Sequence, residues 1–347
     1  MLRRLGWAGI ATVAALVLAE TLFRLGYPLV LPENSRALRQ WIDGPHLPPA
    51  AHFAAHPDYF YAYDSQEAGV NELGFLGPLP AKPGATDAAR IVVLGDSTVA
   101  GEHSWAMRLP QAARQRWGRD IQVAQAAVPG WSLREVAMAV ETLVPRYEPD
   151  AVIVHAGVND LGAAMVAGFR PDYGHWRQPT FGQKRSAYRL IKRRRQLFGV
   201  SRLAAWLARA TGQPMPTPPR LDALANRPEG QPIDGNFGPE FAAAIAAHLE
   251  RIAAVCERHG VACVWTTQPI CATHGVALDP SQTVQRGMAM VTKVIRAAQA
   301  AAFVDMAAAL DERCALFTDI VHTNPAGDAA KADLAVEALP GALEWSD

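Results

Sequence analysis

An alternation of short apolar runs with longer stretches of helical periodicity, sustained from residue 91 onward, is what most constrains the fold of this chain. Residues 91–94, 121–126, 151–154, 261–266 and 303–306 are apolar and of strand length, and helical patterns lie between them. Each strand–helix–strand passage needs a crossover connection, and crossovers build a parallel sheet with helices on both faces. The expected fold class is therefore α/β: a three-layer α/β/α sandwich around a mostly parallel central sheet of about five strands. Local signals agree. Ser132, followed three residues later by Glu135, forms a capping box ahead of the apolar face Val136, Ala137, Val140 and Leu143. Gly260 stands where a helix over 239–259 should stop, and Ser281 is placed to cap a helix that ends near residue 301.

The flanks read differently. Arg3 and Arg4 precede an uncharged, mostly apolar run over 5–19, after which Glu20 and Arg24 interrupt a further apolar stretch to residue 31. This pattern is an export signal. Left uncleaved, residues 5–27 are long enough to span a bilayer with the two arginines on the cytoplasmic side, so 1–31 is expected to be a signal anchor or transmembrane helix. The rest of the chain would then lie outside the cytoplasm, in the periplasm. Val17-Leu18-Ala19 also reads as a cleavage site, which would give a secreted product instead. Residues 32–89, rich in Pro, His and aromatics without a period, are expected to form an irregular wrap that ends in a Pro/Gly/Ala linker over 78–89. The remaining domain, 90–347, carries an insertion at about 162–239, read as a lid or side lobe with helices over 186–198 and 201–210 and a Pro-rich passage over 214–232.

Charge and cysteine content exclude several classes. Lys plus Arg and Asp plus Glu are equal at 33 each, so no net positive field favours nucleic acid. The four cysteines, Cys256, Cys263, Cys271 and Cys314, contain no C-x-x-C pair, and no H-E-x-x-H occurs, so no zinc site or other metal is expected. The thiols are read as small core residues, with one disulfide between Cys271 and Cys314 as the alternative.

The chemistry concentrates at strand ends. Ile91 to Ser97 reads as a buried strand that closes in a Gly-Asp turn and delivers a serine at the carboxyl edge, where open α/β sheets bind ligands. Far along the chain, Asp319 and His322 are three residues apart; on one side of a helical turn the carboxylate can hold the imidazole and leave its second nitrogen for the Ser97 proton. Asn159, in Gly157-Val158-Asn159-Asp160, follows the strand 151–154, and Gly130 follows the strand 121–126; an Asn amide and an unobstructed glycine N–H can both donate to an oxyanion.

Gly95-Asp96-Ser97, Gly130, Gly157-Val158-Asn159-Asp160 and Asp319-Ile320-Val321-His322, in this order, resemble the four blocks of the SGNH hydrolases, or GDSL-type esterases and lipases. The resemblance covers 91–339 and implies a flavodoxin-like sandwich, Ser97 as nucleophile, His322 as base, Asp319 as its orienting acid, and an oxyanion hole from the Ser97 N–H, the Gly130 N–H and the Asn159 side chain. It implies no cofactor. Ser97 does not lie in G-x-S-x-G, which disfavours an α/β-hydrolase. Asn71-Glu72-Leu73-Gly74-Phe75-Leu76-Gly77 is similar to an Asn-x-x-Gly-Phe-Arg-Gly segment of membrane-anchored bacterial members, with Leu76 replacing the arginine, whose role therefore does not carry over.

The expected activity is hydrolysis of a small acyl ester, an acylated carbohydrate or a lipid through an acyl-enzyme. Acyl transfer to an envelope or exported polysaccharide is the alternative, and a non-catalytic envelope binding module would apply if Ser97, His322 and Asp319 failed to converge. The cations of 184–195 suggest a solvated helix face, or an amphipathic lid touching anionic lipid or polymer. The aromatic cluster over 52–63 is expected to pack the wrap onto the domain, with an acyl or sugar site as its other use.

Overall fold

A computed structural model of the chain describes residues 12, 14–26, 53–56, 58–63, 65, 69–79, 82–84, 87–176, 201, 203, 207, 234–272, 280–298, 300–311 and 313–343. The chain divides into a small unit, drawn from 1–52 and 180–224, and a large one, drawn from 53–179 and 225–347.

In the small unit residues 14–26 are helical. Glu20 and Arg24, one turn apart, form an ion pair at 2.7 Å, and Glu20 also accepts from the Ser201 hydroxyl at 2.8 Å and the Leu203 N–H at 3.0 Å. Among the described residues no helix is long and apolar enough to cross a membrane. The expected span over 5–27 falls partly outside the described residues, as do the helix over 186–198, most of that over 201–210, the Pro-rich passage over 214–232 and the basic segment over 184–195.

The large unit opens with a hairpin of β1 (Phe53–His56) and β2 (Phe60–Tyr63), so the wrap expected to be irregular contains regular antiparallel structure. Behind it, Asn71 builds a tight loop: its side-chain oxygen accepts from the Leu73 and Phe75 N–H groups at 3.0 and 3.2 Å. The Gly74 carbonyl then accepts from the Tyr63 N–H at 2.9 Å, which docks the loop on β2. Tyr59, Phe75 and Trp131 meet at centroid separations of 5.3 to 5.6 Å, so the aromatics pack the wrap against the domain.

The sandwich follows in chain order: β3 (Ala89–Gly95), α1 (Trp105–Trp117), β4 (Ile121–Ala127), α2 (Leu133–Tyr147), β5 (Ala151–His155), the short α3 (Asp160–Ala164), α4 (Pro239–His259), β6 (Ala262–Thr266), α5 (Pro280–Ala297), β7 (Ala302–Val304), the short α6 (Met306–Leu310) and α7 (Pro325–Ala342). The five strands β3 to β7 form one parallel sheet in the order β4-β3-β5-β6-β7. Helices α1 and α7 pack on one another, and α4 packs with α2 and α5. Ile91 and Val93 of β3 enter the core cluster of Trp105, Leu109, Val336 and Leu339, while the intervening Val92 and Leu94 are buried outside that cluster. A strand buried on both faces reads as a continuous apolar run, which is why these strands are visible in sequence.

Helix ends follow their local chemistry. The Glu135 carboxylate reaches back to the Ser132 N–H at 2.8 Å, and α4 stops at Gly260, whose φ of 64° is left-handed. Two boundaries differ from expectation. Helix α5 starts at Pro280 and ends at Ala297, so Ser281 lies inside its first turn rather than at the cap. Strand β7 ends at Val304 because Asp305 caps α6, accepting from the Ala308 N–H at 3.1 Å.

All four cysteines are paired, Cys256 with Cys263 and Cys271 with Cys314, which corrects the reading of unpaired core thiols. The chain reversal at Gly260 brings the end of α4 back onto β6 and sets Cys256 beside Cys263, with Cα atoms 6.2 Å apart.

Candidate active site

The strand order reverses direction around β3: its successor β4 lies on one side and β5 on the other. Crevices at such switch points are where open α/β sheets hold ligands. The loops that follow β4, β3 and β5 carry Gly130, Ser97 and Asn159, so the neighbouring strands bring three of the expected site residues to one edge.

Ser97 sits on a turn that is fixed from below. The Asp96 carbonyl accepts from the Val99 and Ala100 N–H groups at 3.1 and 3.0 Å. Its fully buried carboxylate accepts from the Thr98 N–H at 2.8 Å, the Thr98 hydroxyl at 2.7 Å and the Gln268 amide at 3.0 Å. Burial pushes the Asp96 carboxyl above its ordinary range, against the opposing effect of these donors. Gly95 permits the close approach the turn needs, since a Cβ there would collide with the His155 carbonyl and the Val99 side chain.

The partner arrives from the segment before α7. His322 places one ring nitrogen, Nε2, 2.8 Å from the Ser97 hydroxyl and the other, Nδ1, 2.7 Å from Asp319. The side chains whose separation would have favoured a binding module are thus in hydrogen-bond contact. The segment is not the helical turn the spacing suggested. Phe317 and Thr323 bridge across it, and the second Asp319 oxygen accepts from the Val321 and His322 N–H groups at 2.9 and 2.8 Å. Partial burial raises the Asp319 carboxyl, but those two donors and the adjacent imidazole outweigh it and hold it below its ordinary range. An ionised Asp319 accepts a hydrogen bond from Nδ1–H and so fixes the proton on that nitrogen, which leaves the Nε2 lone pair to accept from Ser97.

Further bonds steady this segment. The Cys271 N–H donates to the Ile320 carbonyl at 2.9 Å, and the Cys271–Cys314 disulfide ties the chain after β6 to the residues that lead into it. Asn324 caps α7, accepting from the Ala326 and Gly327 N–H groups at 3.0 and 3.1 Å, and its amide donates to the Ala315 carbonyl at 2.7 Å.

Gly130 lies in the turn Val128-Pro129-Gly130-Trp131, closed by a 3.1 Å bond from the Trp131 N–H to the Val128 carbonyl. With proline second and a glycine φ of 84° third, the turn is type II. Asn159 reaches the same turn, its amide donating to the Trp131 carbonyl at 2.9 Å. An amide nitrogen carries two N–H groups, so this bond uses one of them.

Sequence reasoning assigned no role to three polar residues near the site. Gln268 donates to Asp96 and Thr98 while its oxygen accepts from the Val158 N–H at 2.7 Å, joining the Ser97 and Asn159 loops. Asp160, buried, accepts from the Leu133 N–H at 3.0 Å and the Tyr173 hydroxyl at 2.9 Å. Lys331 is wholly buried with no hydrogen-bond partner among the described residues, and burial lowers its ammonium to about 8 despite the raising influence of Asp328 and Asp96. The one available signal was the position of Gln268, a polar residue just past a buried strand on the site edge.

The sequence model of the GDSL-like lipase/acylhydrolase family matches residues 93–330, well over half of the chain. No curated protein matches. Among solved structures, the chain is similar to an acetyl xylan esterase at 13% identity and a TM-score of 0.40, over 71% of this chain and 98% of that one. It is similar to a GDSL-like lipase from Bacteroides thetaiotaomicron at 14% identity and a TM-score of 0.37, over 73% and 87% of the two chains. A lipase/acylhydrolase from Enterococcus faecalis matches at 12% identity and a TM-score of 0.40, over 71% and 93%. With the family pattern running from the middle of β3 into α7, and so through every strand of the sheet and both ends of the Ser97–His322 contact, this chain belongs to the GDSL-like lipase/acylhydrolase family and is an ester-hydrolysing enzyme.

Proposed function

We propose that the chain hydrolyses esters in two steps through an acyl-enzyme on Ser97. The observation that carries this reading is the unbroken sequence of hydrogen bonds from the Ser97 hydroxyl to His322 at 2.8 Å and from His322 to Asp319 at 2.7 Å. Ser97 Oγ attacks the ester carbonyl carbon as its proton passes to His322 Nε2, and the carbonyl oxygen becomes an oxyanion. The Ser97 and Gly130 N–H groups and the second amide hydrogen of Asn159 stabilise that charge. On collapse the leaving alkoxide takes the proton from His322. Water, deprotonated by the same imidazole, then attacks the acyl-enzyme and releases the acid and Ser97.

The substrate belongs to the class of small acyl esters, acylated carbohydrates or lipids. Two disulfides support a working place outside the cytoplasm, since such bonds persist in oxidising compartments, and the Arg-led apolar N-terminus supports export by the same route. Periplasmic fractions should therefore carry the activity, either released or held at the membrane by the N-terminal segment; activity confined to the cytoplasm would overturn this placement. Ser97→Ala should abolish hydrolysis of a short activated ester such as p-nitrophenyl acetate while circular dichroism and melting temperature stay unchanged. Undiminished turnover in that variant would refute the mechanism.

A further inference from the structure

The turn that carries Gly130 is gripped from outside the segment matched by the family. Tyr61 of β2 is 1% exposed, and its hydroxyl donates to the Pro129 carbonyl at 3.1 Å. Its own carbonyl accepts from the Trp131 indole N–H at 3.0 Å, so one residue holds both sides of Gly130. The contact is close enough that a Cβ on Gly130 would stand 2.9 Å from the Tyr61 hydroxyl oxygen.

The bond to Pro129 matters because of which peptide it touches. In a type II turn the closing hydrogen bond joins the first and fourth residues and leaves the orientation of the central peptide to outside partners. Here that peptide consists of the Pro129 carbonyl and the Gly130 N–H. Types I and II differ mainly by a rotation of this peptide, and a glycine in the third position accommodates either one. A peptide unit is planar and trans, so its C=O and N–H point in opposite directions and holding one end aims the other. A donor at the carbonyl oxygen also polarises the N–H on the far side, making it a stronger donor.

We propose that Tyr61 is a positioning residue for acyl transfer: by holding the Pro129 carbonyl it keeps the central peptide in the type II orientation and aims a strengthened Gly130 N–H at the oxyanion. This rests on the reading of Gly130 and Asn159 as oxyanion donors. The N-terminal hairpin thereby becomes a working part of the site as well as a cover for the domain. Asn159, bound to the Trp131 carbonyl, ties the second donor to the same turn.

Tyr61→Phe removes only the hydroxyl and leaves the buried ring. Turnover of p-nitrophenyl acetate should fall about tenfold, less than the loss of a whole oxyanion donor, with KM within about twofold and an unchanged melting temperature. Affinity for a boronic acid, which mimics the tetrahedral intermediate, should fall by the same factor as kcat/KM. A merely structural role would leave boronate affinity untouched or move KM and melting temperature instead, and either result would overturn the proposal. Asn159→Ala, measured in parallel, separates the two readings. If it lowers kcat and Tyr61→Phe does not, the Tyr61 assignment fails alone; if neither lowers kcat, the oxyanion hole fails and the Tyr61 assignment with it.

Discussion

The two halves of the Ser97–His322 pair are held by different means. Ser97 stands at the end of a central strand, and its turn is fixed by a buried carboxylate whose partner, Gln268, comes from the far side of β5. His322 stands on a half-exposed segment held mostly by itself, through Asp319, the Thr318 N–H bonded to the His322 carbonyl at 2.8 Å, and the Phe317–Thr323 bridge. Placement of Ser97 is thus a property of the whole sheet, whereas placement of His322 is a property of about ten residues and one disulfide. Substitutions on the first side should cost stability and activity together. Those on the second should cost activity alone.

Asp319→Ala is expected to have the largest effect of the tests on this contrast. It removes the acceptor for the imidazole and for two backbone N–H groups, so kcat should drop on the order of 10² to 10³-fold, with the thermal melt unchanged within error. A large fall in melting temperature would break the contrast. Asp96→Asn sits on the opposite side. It turns a buried carboxylate that accepts three hydrogen bonds into a group with only one oxygen and sets an amide against an existing donor. Stability, measured by urea unfolding, should fall by about 1–3 kcal/mol, together with activity. Activity lost at full stability would show that Asp96 acts on the chemistry directly.

The disulfides sharpen the comparison further. Replacing both Cys271 and Cys314 by Ala should lower kcat severalfold, because the segment bearing Asp319 and His322 loses its covalent tie to the chain after β6. Replacing Cys256 and Cys263, which staple α4 to β6, should leave kcat unchanged, and equal losses from the two pairs would contradict a local role. The smallest effect belongs to Lys331, beneath the site, with Asp328 and Asp96 as its charged neighbours. Its ammonium is lowered to about 8 in the folded state from 10.5, so between those values the unfolded chain holds a proton that the folded chain lacks. Stability contributed at this position therefore rises with pH across that window. Relative to Lys331→Met, the melting temperature of the natural protein should increase from pH 8 to pH 10; a constant difference would show that Lys331 does not titrate there.

Most of the sheet is legible in the sequence because β3, β5 and β6 are buried on both faces and read as apolar runs, and because turn chemistry marks their ends. Ser97, Gly130 and Asn159 were legible for the same reason: each follows such a run. The closeness of Asp319 and His322 also followed from spacing, although the structure achieves it with a bridged loop and not with a helix. Gln268 and Tyr61 were not legible. Each acts on a partner far away in the chain, Gln268 on Asp96 at a separation of 172 residues and Tyr61 on Pro129 at 68, and no local pattern encodes such a meeting. The hairpin β1–β2 carries no alternating signal, because the successive residues Tyr61, Ala62 and Tyr63 of the four-residue β2 are all buried.

Covalent capture tests the central claim most directly. Incubation with a p-nitrophenyl alkylphosphonate, followed by peptide mass spectrometry, should find a single adduct on the Ser97 oxygen, absent from Ser97→Ala and formed far more slowly in His322→Ala. An adduct on another residue, with ester turnover surviving in Ser97→Ala, would contradict the account.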